Sequence, residues 1–249
     1  MARETHTQTP KRCGWGGRRE GAGRKPKLPH QVPHRARPAL ASRHPVEVRL
    51  TVDESLPSLR GDDLRPHVEE CLRRGKEREG FRLVHYSIQR DHLHLIVEAK
   101  SARALSSGVE GLNIRIARRI NRLLGRRGRF FSQRYAHRVL KTPEQTRAAL
   151  IDVLLDARRH AAEQGLQLPA GWIDECSSAR TFDGWIDGPP PRPAAESDPA
   201  AEVALPHSWL LSSGWRQQGL ISVDTVPSRP CRFRGIDPID RVAKMGKLR

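Results

Sequence analysis

The stretch Asp91-His92-Leu93-His94-Leu95-Ile96-Val97-Glu98 sets two imidazoles two residues apart in a β-prone run. A strand has a period of two, so His92 and His94 project from one face and Leu93, Leu95 and Val97 from the other. Neighbouring imidazoles on a rigid strand suit a divalent metal. The plain alternative is a half-exposed strand with two incidental histidines. Further along, Asp152, Asp156 and His160 recur at helical spacing on one face of a helix. If that face lies against the histidine strand, a carboxylate completes a three-ligand site with open positions, able to polarise a phosphodiester oxygen. The competing reading is a solvated stripe paired with Arg158 and Arg159.

The second chemical signal is electrostatic. Nine arginines fall between Leu112 and Arg138: Arg115, Arg118, Arg119, Arg122, Arg126, Arg127, Arg129, Arg134 and Arg138, with no acid among them. Phe130, Phe131 and Tyr135 are interleaved. Guanidinium groups match phosphate, and aromatic rings offer stacking faces to unpaired bases. A charge run is usually a solvated face, but this imbalance points to nucleic acid.

The elements that must position these residues can be read from periodicity. Residues 46–52 alternate as a strand, and 62–79 form a helix with Leu64, Val68, Cys71 and Leu72 on one side. Residues 81–89 alternate again, with Val84, Tyr86 and Ile88 on one face, and 92–97 make a third strand. Only Arg90-Asp91 separates these two, which predicts a hairpin. Residues 102–124 are helical, with Leu105, Val109, Leu112, Ile116, Ile120 and Leu123 as the apolar stripe. After a short loop and strand at 130–140, Thr142 caps a helix that runs from Pro143 to about Gln164 and stops at Gly165. The order strand, helix, strand, strand, helix, strand, helix is an α+β, ferredoxin-like pattern: an antiparallel sheet with helices on one face.

Composition frames this core. Across 249 residues the net charge is +17, hydrophobic residues make up 37% and the mean hydropathy is −0.65, so part of the chain is expected outside the core. Residues 1–42 read as a disordered basic arm; residues 1–40 hold ten Lys or Arg against two acids. Within the arm, Gly21-Ala22-Gly23-Arg24-Lys25-Pro26-Lys27 resembles an AT-hook that lays Arg24, Lys25 and Lys27 into a minor groove; a plain phosphate-binding tail is the equal alternative. The domain spans 43–168. Residues 169–249 form a loosely structured C-terminal extension, with a Pro-rich linker at 188–199 and a small motif at 206–222 that docks Trp209 and Trp215 on the domain. Cys13, Cys71, Cys176 and Cys231 form no CxxC pair, which argues against a zinc ribbon or a disulfide framework. No apolar run reaches membrane-spanning length, and the N-terminus lacks an export-type apolar region. The expectation is a cytoplasmic, nucleoid-associated protein.

Phe81-Arg-Leu-Val-His-Tyr-Ser-Ile-Gln89 followed by Asp91-His-Leu-His-Leu-Ile-Val-Glu98 resembles the HUH strand of single-tyrosine transposases, and above all the REP-associated tyrosine transposases and their IS200-like relatives. Gly125-Arg-Arg-Gly-Arg-Phe-Phe-Ser-Gln-Arg-Tyr135 resembles that family's loop before its last helix, and the 21–27 and 209–215 segments are similar to its tails. The resemblance implies a ferredoxin-like core that binds hairpin or single-stranded DNA. It implies Mg²⁺ or Mn²⁺ held by His92, His94 and Asp156. It also implies a nucleophilic tyrosine one turn before that last ligand, which forms a phosphotyrosine link to DNA. One turn before Asp156 stands Asp152, and the chain's two tyrosines, Tyr86 and Tyr135, lie elsewhere.

These residues predict a transposase-family DNA-binding protein, monomer or homodimer, with impaired covalent cleavage. Its DNA contacts would come from Arg24, Lys25, Lys27, Arg115, Arg118, Arg119, Arg122, Arg126, Arg127, Arg129, Phe130, Phe131 and Arg134. Two alternatives stand beside it. One is an active nickase or transposase using Tyr135, or a metal-bound water with Asp152 as base. The other is an RNA-binding ferredoxin-like module.

Overall fold

The computed structural model describes residues 39–187 and 203–227; Arg24, Lys25, Lys27 and the 188–199 linker lie outside them. Strand β1 (Val46–Thr51) buries Val46, Val48 and Leu50 on one side and turns Glu47 and Arg49 to the other. Helix α1 (Arg65–Gly75) has a proline in its first turn, where no amide donor is needed, and buries Val68, Cys71 and Leu72. A two-residue strand, β2 (Glu77–Arg78), leads into β3 (Phe81–Ile88) and β4 (His92–Ala99). The hairpin between β3 and β4 turns at Arg90-Asp91, as the sequence predicts, with Gln89 N donating to His92 O at 2.9 Å.

Helix α2 (Ala102–Leu123) starts where the Ser101 side chain accepts the Ala104 amide, and it buries Leu105, Val109, Leu112, Ile116 and Ile120. It lies so close to β3 at Gly108 that a Cβ there would come within 2.2 Å of the Phe81 ring. After β5 (Ala136–Val139) come α3 (Pro143–Leu154), capped by Thr142, and α4 (Asp156–Glu163). The antiparallel sheet runs β2-β3-β4-β1-β5, the ferredoxin-like order with one added edge strand.

The α+β class stands, but the helices divide between the two faces. Helices α1 and α2 share a core with Leu93, Leu95 and Val97 of β4. Helix α3 packs Ala149, Leu150, Val153 and Leu154 with Val84 and Ile96 on the opposite face. A β-bulge between Leu83 and His85 explains Val84: it inserts one residue and turns Val84 away from Tyr86 and Ile88, with which plain alternation had grouped it.

Two other expectations change. The helix over 143–164 breaks at Leu155, whose φ of −112° and ψ of 18° end α3 and start α4 at Asp156. The C-terminal extension, where described, is packed: Phe182, Trp185, Leu211, Trp215, Ile221 and Val223 complete the second core with α3. A short helix, α5 (Trp209–Ser212), and a 3₁₀ turn carry this motif, and Glu98 accepts the amides of His207 and Ser208 that lead into it. Trp215 is buried, whereas Trp209 is exposed, lying over Gly214. No helix among the described residues is long and apolar enough to cross a membrane.

Candidate metal centre and nucleic-acid interface

Strand alternation delivers His92 and His94 to the α3 and α4 face, and the Leu155 break sets Asp156 at the first turn of α4 against them. All three side chains are buried. His92 Nε2 lies 3.1 Å from Asp156 Oδ2, and His94 Nδ1 lies 3.4 Å from the same oxygen. One turn along α4, His160 Nε2 lies 3.6 Å from Asp156 Oδ1. Ligand atoms of His92, Asp156 and His160 fall within 4.8 Å of one another, a span that one metal ion could bridge. The sequence sets His160 on the same helix face as Asp156, at i, i+4, but the ligands expected from it are His92, His94 and Asp156; the i, i+4 spacing is the signal that could have added His160.

Carboxylates flank the cluster. Asp91 Oδ1 is 2.7 Å from His92 Nδ1, the position of an outer carboxylate that orients an imidazole. The His92 hydrogen bond is the main reason that Asp91 is held well below its ordinary pKa. Glu47, fully buried, receives His94 Nε2 at 2.7 Å and Arg138 Nε at 2.7 Å. Burial alone would lower the pKa of His94, but its hydrogen bonds to Asp156 and Glu47 push it up to about 9. Burial alone would raise Asp156, yet hydrogen bonds from His92 and His94 hold it well below its ordinary value. His94 at neutral pH is therefore an imidazolium spanning two carboxylates. His160 has its pKa lowered, mainly by burial.

Asp152 does not join this cluster. It ends α3, partly exposed, with Arg138 NH2 3.6 Å from its Oδ2. Tyr135 is buried in the α1 and α2 core, its hydroxyl 3.0 Å from Ser106 Oγ, and Tyr86 is buried in the same core. Both tyrosines thus lie on the sheet face opposite His92.

The arginines form a ridge. Arg115, Arg118, Arg119 and Arg122 are exposed on the outer side of α2, and Arg127, Arg129 and Arg134 are exposed in the loop that follows, with Arg126 half-buried. None of Arg115, Arg118, Arg119, Arg122, Arg126, Arg127 and Arg129 is within ion-pair distance of a carboxylate among the described residues. Helix α2 follows β4 and returns antiparallel to it, so its arginine-rich end lies toward the His92 end of the sheet. The loop closes there: Asp53 N donates to Phe130 O at 2.8 Å, Ser132 N donates to Thr51 O at 2.9 Å, and Thr51 pairs with His92. Phe130 and Phe131, expected as stacking faces, are instead core residues at 2% and 9% exposure. A bridge between Phe131 and Val52 pulls them beneath the loop.

The described residues thus form an antiparallel ferredoxin-like domain with a His–Asp–His cluster on one face of the sheet and an arginine-rich helix and loop beside it. Residues 51–147 match the family model "Transposase IS200 like". The match includes His92 and His94 and ends before Asp152. Among solved structures, the chain is similar to the REP-associated tyrosine transposase bound to a REP hairpin, at 9% identity and a TM-score of 0.40, covering 55% of this chain and 76% of that one. It is also similar to a protein of Deinococcus radiodurans R1 provisionally named a transposase, at 18% identity and a TM-score of 0.34, covering 55% of this chain and 99% of that one. No curated protein matches the chain.

Proposed function

We propose that the protein binds hairpin or single-stranded DNA as a transposase whose covalent cleavage is impaired. The observation that carries this reading is the separation of parts. The His92–Asp156–His160 cluster is assembled, while both tyrosines are buried on the far side of the sheet.

The donor set fits a divalent cation: two imidazoles and a carboxylate, their ligand atoms close together, with Asp91 behind His92. His92, Asp156 and His160 would hold Mn²⁺ or Mg²⁺, with Mn²⁺ favoured because imidazole is a poor partner for Mg²⁺. His94, expected as the second histidine ligand, touches Asp156 but is already committed to Glu47. When bound, such a cation supplies polarisation of a phosphodiester oxygen. The chain's own residues bind and orient the strand. Arg115, Arg118, Arg119, Arg122, Arg126, Arg127 and Arg129 would hold phosphates on α2 and its loop, and a strand passing over that end of the sheet would reach the His92 face. Asp152 stands where the family resemblance places a tyrosine; its carboxylate is turned to Arg138 and offers no hydroxyl to attack a phosphodiester.

The test is fluorescence anisotropy of the full chain with Mn²⁺ on four probes of one sequence: a DNA hairpin, single-stranded DNA, linear duplex DNA and an RNA hairpin. Tighter binding to the hairpin and the single strand than to the duplex or the RNA is expected. Equal binding to all four would leave only nonspecific charge attraction, and preference for RNA would favour an RNA-binding module.

A further inference from the structure

The carboxylate at the centre of the cluster already has a cation. Arg159, three residues after Asp156 and itself 8% exposed, donates to Asp156 Oδ1 through Nε at 3.1 Å and also through NH2. The same NH2 lies 3.2 Å from His160 Nε2. A guanidinium has no acceptor and does not lose its proton in proteins, so this contact requires His160 Nε2 to accept. The other ring nitrogen agrees: His160 Nδ1 is 3.1 Å from Glu163 Oε2, where it donates. One guanidinium nitrogen therefore engages the lone pairs of two of the three candidate ligands, which are the lone pairs a metal would need.

We propose that Arg159 is a resident counter-cation of this site, and that a small divalent cation binds only as Arg159 withdraws from Asp156. The inference rests on the metal reading above and adds exclusion between the two cations. The geometry favours exclusion for two reasons. Like charges this close repel strongly where burial removes water, and Asp156 Oδ2 is already engaged by His92 and His94, which leaves Oδ1 contested. Arg159 has somewhere to go: its NH1 lies 3.3 Å from Glu163 Oε1, on the half-exposed outer side of α4. It is a positioning residue for the metal ligands.

Mn²⁺ binding by calorimetry, and the shift in Tm caused by Mn²⁺, are measured on the full-length wild type, Arg159→Gln, Arg159→Lys, Arg138→Gln and His92→Ala. Arg159→Gln is expected to bind Mn²⁺ at least tenfold more tightly than wild type. Its metal-free Tm should be lower and its Mn²⁺-induced shift larger. Arg159→Lys keeps the charge on a more flexible head and should stay near wild type. Arg138→Gln removes the same charge from Glu47 rather than from Asp156 and should change affinity far less. Equal or weaker binding by Arg159→Gln, with binding lost in His92→Ala, overturns the exclusion and leaves the metal site standing. An equal gain in Arg138→Gln would reduce the effect to general charge and also overturns it. Absence of binding in every variant, Arg159→Gln included, overturns both readings.

Discussion

The Tyr135 hydroxyl lies 3.0 Å from Ser106 Oγ, inside the core between the sheet and α2, on the face turned away from His92. A nucleophile must reach the scissile phosphorus to react, and this one would have to cross the sheet. We expect no covalent adduct when labelled hairpin DNA is incubated with the protein and Mn²⁺ and resolved on a denaturing gel. Tyr135→Phe should change nothing on that gel and should cost about 1 kcal/mol of stability, the scale of one buried hydrogen bond. A wild-type adduct that vanishes in Tyr135→Phe would restore the active-enzyme alternative.

Much of this site was legible because two of its signals are periodic. The hairpin and the shared face of His92 and His94 follow from strand alternation and a two-residue loop, whereas the i+4 spacing of His160 to Asp156 shows a shared helix face but not that His160, rather than His94, joins the cluster. What alternation cannot show is where a helix face goes. Ala149, Leu150, Val153 and Leu154 announce an apolar side of α3 but not which face of the sheet it covers. The break at Leu155 has no proline or glycine to mark it, so Asp152 looked continuous with Asp156 although it turns to Arg138. Phe130 and Phe131 sit among arginines in an aperiodic loop, and only the long-range bridge to Val52 decides that they are buried.

Two buried histidines give stability opposite pH limbs in the metal-free protein. Burial lowers the pKa of His85 to about 4, so the native state stays neutral there while the unfolded chain takes up a proton below its ordinary 6.5. Stability is therefore intact above about pH 6.5 and is lost as pH falls toward 4. His94, raised to about 9, contributes stability that is full below 6.5 and is lost as pH rises through 9. Each limb amounts to about 3 kcal/mol at the linkage rate of ~1.4 kcal/mol per unit. Urea unfolding with EDTA from pH 4 to 10 should show a maximum near neutrality, and His94→Gln should flatten the alkaline side. An alkaline limb unchanged in His94→Gln would disprove the assignment.

The C-terminal segment should behave as part of the core. Trp215 is 1% exposed and packs on Phe182 with ring centroids 5.3 Å apart. Trp215→Ala is expected to cost about 3–5 kcal/mol, as for a large core aromatic, whereas Trp209→Ala, at 55% exposure, should cost under about 1 kcal/mol. Chemical denaturation of both variants checks this. Similar small losses would mean that residues 203–227 dock only loosely.

The arginine ridge makes the most direct prediction for DNA. Arg115, Arg118, Arg119 and Arg122 share the outer side of α2 with no carboxylate within ion-pair distance among the described residues, so binding phosphate breaks no existing ion pair. Each phosphate neutralised on a single strand should contribute about −0.7 to the slope of log K against log salt. Replacing all four with Ala should therefore make that slope shallower by about 3 and leave the fold intact, because these side chains are exposed. Deleting residues 1–40, with their ten Lys or Arg, should also weaken binding, but without changing the preference for a hairpin over a duplex. The two outcomes separate the contributions: an arm acts through charge alone, whereas the ridge is fixed beside the His92 end of the sheet and can select shape. Anisotropy titrations at several salt concentrations decide between them. If the four-fold variant keeps the wild-type slope while the deletion abolishes binding, the arm holds the DNA and the ridge is only a solvated face.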